Sequence, residues 1–184
     1  MSKKSIFAEG NDIKLIEDLT KHLGKDQSTI LYRKTDGWTN LPKVKSLFLE
    51  NTDKGGTNLV IFDADTNCTN RQQEIQQIRT TLGISFELFL MPDNVLNGCC
   101  ENLLTSIINQ NFNALLHCFD SYSNCINNLN YAYEETNQKD KFFAFTSATG
   151  QRNSLSEIDF LDATYYDLKQ PSIQPLLSFL DHHL

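Results

Sequence analysis

The sequence predicts an α/β domain on a mainly parallel sheet, and three observations carry that expectation. Short apolar runs rich in β-branched and aromatic residues alternate with segments whose apolar residues recur every three or four positions. The strongest run, Leu59-Val60-Ile61-Phe62, is apolar on both faces, as a strand covered on both sides must be. The 184 residues, 40% hydrophobic and 21% charged, suffice for one domain with a substantial core and are too few for two.

In chain order, Ser5-Ile6-Phe7-Ala8 reads as a strand ending at Glu9-Gly10, and Ile13, Ile16, Leu19 and Leu23 as a helix closed by Gly24. Thr29 to Tyr32 form a second strand. A loop at Asp36-Gly37-Trp38-Thr39-Asn40 leads to Leu41, Val44, Leu47 and Phe48 at helical spacing, broken at Gly55-Gly56. The third strand, Leu59 to Phe62, ends in Asp63-Ala64-Asp65. Ile75, Ile78 and Leu82 mark a helix from Arg71 capped by Gly83, and Phe86 to Met91 a fourth strand stopped by Pro92. Strands alternating with single helices indicate right-handed crossovers. Beyond Gly98 the pattern turns helical, with helices expected around Leu103 to Ile108, Leu115 to Ile126 and Pro171 to Leu184, and a buried element at Phe142, Phe143 and Phe145. The Asn-rich stretch Asn109 to Asn130 is patterned enough to be ordered. Residues 1–110 thus form the α/β core and 111–184 a helical extension of the same domain.

The net charge of −7 leaves no broadly basic face for long duplex nucleic acid. Its distribution is uneven: residues 1–79 carry 12 basic and 11 acidic side chains, residues 80–138 none and 6, and residues 139–184 carry 4 and 6. Five cysteines without a CxxC pair fit reduced thiols in a cytoplasmic protein. No apolar run reaches the roughly 18 residues of a membrane span, and Met1 to Gly10 is too short and polar for a secretory leader.

In a parallel α/β sheet, functional groups gather beyond the carboxyl ends of the strands. Glu9 follows the first strand there, and Asp63 and Asp65 follow the third. Side chains at i and i+2 of a strand share a face, so Asp63 and Asp65 are expected to aim at one point. Like charges held close need a cation between them, and an oxygen-only set favours Mg²⁺ or Mn²⁺ over Zn²⁺.

Ile6-Phe7-Ala8-Glu9-Gly10-Asn11-Asp12 and Leu59-Val60-Ile61-Phe62-Asp63-Ala64-Asp65 together resemble the TOPRIM domain of topoisomerases, primases and OLD-family nucleases. Met91-Pro92-Asp93-Asn94 followed by Gly98-Cys99-Cys100-Glu101-Asn102-Leu103-Leu104 is similar to a Pro-Asn and Gly-x-x-Glu-x-Leu-Leu stretch of small bacterial TOPRIM-like proteins. The resemblance implies a Rossmann-like four-stranded sheet between helices and a Mg²⁺ or Mn²⁺ site at Glu9, Asp63 and Asp65. It further implies a two-metal phosphodiester centre completed by Glu101 and by a downstream lysine, Lys141 or Lys139. Glu9 then serves as ligand or general base. Apart from the resemblance, Arg71, on the helix after Asp-x-Asp and close to the expected crevice, reads equally as a phosphate contact or as a solvated surface charge. Asp12 follows Glu9 by three residues where the family has four.

The implied function is metal-dependent, nuclease-like phosphodiester processing in DNA processing or phage defence, with nucleic acid met locally through bound metal and no membrane contact. Two other classes stand beside it. One is a non-catalytic module binding a nucleotide or partner, which the missing basic surface favours. The other is phosphotransfer on a small phosphorylated substrate, which suits an acidic chain.

Other signals carry less. Cys99 and Cys100 with His117, Cys118 and Cys125 fit no structural zinc spacing and read as small core residues. Phe142, Phe143, Phe145, Tyr165 and Tyr166 read as core before base-stacking platforms. A P-loop and a dinucleotide fingerprint are both missing.

Overall fold

A computed structural model describes residues 3–129, 136–151 and 154–184. Four strands, β1 (Lys4–Glu9), β2 (Ile30–Thr35), β3 (Thr57–Asp63) and β4 (Glu87–Met91), form a single sheet. The helices are α1 (Ile13–His22), α2 (Lys45–Asp53), α3 (Cys68–Leu82), α4 (Cys100–Ser106), α5 (Asn113–Asn127), α6 (Gln138–Ala148) and α7 (Gln174–His183). All pairings are parallel and the order is β2-β1-β3-β4, so the fold is α/β with an all-parallel sheet. Asn130, the last residue of the Asn-rich stretch, lies outside the described residues.

Strand alternation divides the apolar residues between two faces. Ile6, Ala8, Leu59, Ile61, Phe89 and Met91 point to the face covered by α1, α4, α6 and α7. Phe7, Val60, Phe62 and Leu90 point to the opposite face, under α2 and α3. There Phe7 stacks on Phe48 with ring centroids 3.8 Å apart. The apolar run of β3 is therefore accounted for by cover on both sides.

Local differences from the sequence expectation have backbone causes. Pro42 lacks an N–H, and Trp38–Val44 form a 3₁₀ turn instead of the start of α2, which begins at Lys45. Helix α3 begins at Cys68, three residues before Arg71, because the Asn67 side chain accepts from Asn70 N at 2.9 Å and caps it.

The C-terminal segments complete the α1 face. Asn109 N donates to Tyr165 O and Asp167 N to Ile107 O, each at 2.7 Å, tying the chain after α4 to the stretch before α7. Asp18 on α1, 2% exposed, accepts from Phe160 N at 3.1 Å and pairs with Lys14 and Lys21. Phe142, Phe145 and Tyr166 are buried core residues. Helix α5 has no buried residue and packs only through partly covered side chains such as Leu115 and Leu116. No helix among the described residues is long and apolar enough to cross a membrane.

Candidate functional site

With strand order β2-β1-β3-β4, the direction of winding reverses between β1 and β3, and a crevice opens at their carboxyl ends. Glu9 is the last residue of β1 and Asp63 the last of β3. Gly10, at φ +38°, takes the left-handed turn that Glu9 must be followed by. Asp12 N then donates to Glu9 O at 2.9 Å, a turn tight enough to bring Asp12 back over the strand ends. The three-residue spacing therefore does place Asp12 in the cleft.

The β4–α4 connection supplies the far wall. Asp65 and Gly98 exchange two backbone hydrogen bonds of 2.8 Å, drawing the start of α4 up to β3. Cys100 N donates to Asp63 Oδ1 at 2.8 Å, and Cys99 is the residue before the helix, held by Asn102 Oδ1 at 2.9 Å from its N. Cys99 and Glu101 thus face Asp63. The resulting cleft, about 760 Å³, is lined by Glu9, Asp12, Asp63, Cys99, Glu101 and Lys139 among others.

Its electrostatics are those of crowded, buried carboxylates. Burial first, and then the neighbouring Asp12, push Asp63 up to about 8. Burial, followed by Glu101 and Glu9, pushes Asp12 up to about 7. Glu9 is raised by burial and by Asp65, with Arg71 pulling the other way. Among the described residues no ion pair includes Glu9, Asp12, Asp63 or Glu101.

These shifts fix a pH dependence. Folded Asp12 and Asp63 hold protons that the unfolded chain, with ordinary aspartates, gives up near pH 4. The folded form binds more protons between those values, so in cation-free buffer stability is greatest at low pH and falls as pH rises through about 7 to 8. A melting series in EDTA from about pH 5 to 9 is expected to decline by several degrees across that window. The decline shrinks in Asp63→Asn.

The other expected site residues are placed as follows. Asp65 adopts φ +53° just past the end of β3, so the i, i+2 rule for a strand does not reach it; only Asp63 of the pair lines the cleft. The half-exposed Asp65 carboxylate pairs with Arg71 at 2.6 Å, and the same guanidinium lies over the Trp38 ring at 4.4 Å and reaches Glu74 at 3.3 Å. Arg71 is therefore already engaged beside the cleft and does not line it. Lys141 pairs with Asp120 of α5 at 2.6 Å, away from the carboxylates. The lysine that lines the cleft is Lys139, whose charge acts on Asp12.

Cys99 is the residue that sequence reasoning passed over as core. One donor atom from each of Asp63, Cys99 and Glu101 lies within 4.8 Å of the others. His117 is exposed on α5 and is not part of this cluster.

An all-parallel α/β sheet with an acid-lined cleft at its winding reversal defines the class of protein. A family model described as "Protein of unknown function (DUF3226)" matches residues 3–184, and the chain belongs to that family. No curated protein and no solved structure matches it.

Proposed function

We propose that this is a TOPRIM-like, divalent-cation-dependent phosphodiester-processing protein whose centre comprises Glu9, Asp12, Asp63 and Glu101 with Mg²⁺ or Mn²⁺. The observation that carries the reading is that, besides the exposed Asp36, four carboxylates line one cleft, Glu9, Asp12, Asp63 and Glu101, with Asp12 and Glu101 about nine-tenths buried and none of the four in an ion pair among the described residues. Burying charge without compensation is costly, and without a cation Asp12 and Asp63 avoid it by holding protons; a divalent ion is the charge partner that would displace those protons. The donor set fits such an ion in kind: carboxylates from three separate chain segments line one cleft, and an oxygen of Asp63 lies within 4.8 Å of one of Glu101.

A bound divalent cation supplies Lewis-acid chemistry, lowering the pKa of an attacking water and offsetting charge on the leaving oxygen. The chain's residues supply the rest. Asp63 is fixed by the Cys100 N–H at the end of β3, which preorients its free oxygen toward the cleft. Glu9, with its raised proton affinity, is suited to accept a proton from the attacking water. Lys139, at the first turn of α6, brings one positive charge to a phosphate oxygen as charge develops there.

The net charge of −7 and a cleft in which Lys139 is the one lining cation among the described residues support engagement of one phosphodiester at a time, in single-stranded nucleic acid or a small phosphorylated molecule, and not a duplex footprint. The test is cleavage of single-stranded DNA, RNA, supercoiled plasmid and a chromogenic phosphodiester, with Mg²⁺ or Mn²⁺ against EDTA. Cation-dependent cleavage is expected, strongest on the non-duplex substrates. Lys139→Ala is expected to lower it by about tenfold or more, the scale of losing one transition-state charge partner, while Lys141→Ala stays within about twofold. No cleavage of any substrate with either cation overturns the catalytic reading.

A further inference from the structure

The proposed function treats the cleft as a set of oxygens, but one wall of it carries sulfur. Cys99 stands immediately before α4 and two residues before Glu101, and that bend turns its thiol back toward the end of β3. The Sγ of Cys99 and one carboxylate oxygen from each of Asp63 and Glu101 lie within 4.8 Å of one another. Ligands of a tetrahedral zinc ion, at about 2.0 to 2.3 Å from the metal, stand about 3.5 Å apart, so a closure of roughly 1 Å brings all three to bonding distance.

A second observation points independently to a ligand. Glu101 is only 8% exposed, its carboxylate lines the cleft, and no ion pair among the described residues includes it. Its backbone carbonyl accepts from Thr105 Oγ1 at 2.7 Å, and its carboxylate, which has no cationic side chain to pair with among the described residues, meets the Cys99 thiol in the space that both share with Asp63. The Cys99 thiol donates to Asn102 Oδ1 at 3.2 Å and its sulfur accepts from Asn102 N, while the backbone N–H of Cys99 holds the same Asn102 oxygen at 2.9 Å. Loss of the thiol proton therefore leaves the cap of α4 in place.

We propose that Asp63, Cys99 and Glu101 form a mixed thiolate–carboxylate position that takes a borderline transition cation, Zn²⁺ foremost, in preference to Mg²⁺. Sulfur selects Zn²⁺, Co²⁺ and Cd²⁺, whereas Mg²⁺ takes oxygen ligands almost exclusively. On binding, the S–H bond breaks, its proton passes to solvent and the sulfur lone pair goes to the metal. Glu9 and Asp12 remain as the oxygen-only part of the cleft. The assignment rests on the reading of the cleft as a divalent-cation centre and names the cation that one part of it prefers.

The test is titration of the full-length protein with Co²⁺ alone, followed by optical absorption, with Cys118→Ser/Cys125→Ser as the background that removes the two exposed thiols of α5. A sulfur-to-cobalt charge-transfer band is expected in that background and is lost in Cys99→Ser. Because loss of an outer-sphere partner alone weakens metal binding by about 10- to 100-fold, loss of the sulfur ligand is expected to weaken Zn²⁺ by about 100-fold, with Mn²⁺ changed less than about threefold. Cadmium NMR on the protein with Cys99 intact reports sulfur ligation directly, so the assignment stays testable if Cys99→Ser fails to fold. Co²⁺ and Mn²⁺ binding without a sulfur band, or a band that survives Cys99→Ser, overturns this position and leaves the oxygen site standing. No binding of Mn²⁺, Co²⁺ or Zn²⁺ overturns both.

Discussion

Asp63→Asn is expected to abolish divalent-cation binding and phosphodiester cleavage while raising the melting temperature of the cation-free protein at alkaline pH. The two effects have one cause. Asp63 sits at the end of β3 with burial and Asp12 both opposing its negative charge. Neutral Asn keeps the oxygen that accepts from Cys100 N, so the local backbone is preserved. What disappears is the charge that attracts a cation, and with it a loss of about a hundredfold or more in affinity and rate. Without cation, that charge only destabilises, so its removal stabilises most near pH 9, progressively less as pH falls from about 8 to 4, and not at all below about pH 4, where Asp63 is protonated in the folded and the unfolded chain alike. Calorimetric melts in EDTA and Mn²⁺ titrations of the same two proteins measure both signs. A variant destabilised at every pH would show that Asp63 is a structural acid.

The second large effect is structural. Asp18→Ala is expected to destabilise the protein by about 3 kcal/mol, in the range for removing one partner of a buried charge network. The Asp18 side chain, 3% exposed, joins Lys14 and Lys21 of its own helix to Phe160 N, whose partner it is across the chain. Its loss leaves a buried N–H unsatisfied and loosens the stretch that carries Phe160 and Tyr166 onto α1. Urea unfolding should show a lower midpoint at unchanged slope, and cation affinity should be retained because Asp18 is remote from the carboxylate cleft. Equal losses in stability and affinity would mean that the C-terminal segments hold the cleft in shape.

The strands were legible because burial on both faces leaves an unmistakable trace, as in Leu59 to Phe62, and because an acid directly after such a run can only sit at a sheet edge. That reasoning located Glu9 and Asp63. It misplaced the aim of Asp65, since the period-two rule assumes an extended chain and Asp65 takes a left-handed turn. The choice between Lys139 and Lys141 was open for a similar reason: residues two apart on a helix do not share a face, and nothing in the sequence states which face of α6 meets the cleft. The cap at Asn137, which accepts from Lys139 N at 2.9 Å and Asp140 N at 3.2 Å, sets that phase, with Lys139 on the cleft and Lys141 against Asp120. Cys99 left no trace at all, because a cysteine before a helix carries none of the capping signal of Ser, Thr, Asp or Asn. Only the packing of α4 against β3 shows that its sulfur faces two carboxylates.

The claim that Glu9, Asp12, Asp63 and Glu101 share a cation is tested most directly by crystals grown with Mn²⁺ and an anomalous difference map at the manganese edge. The expected result is a peak in the cleft at about 2.2 Å from an Asp63 oxygen and from at least one oxygen of Glu9, Asp12 or Glu101. A map with no peak in the cleft, or with manganese only at the terminal His182 and His183, would contradict it.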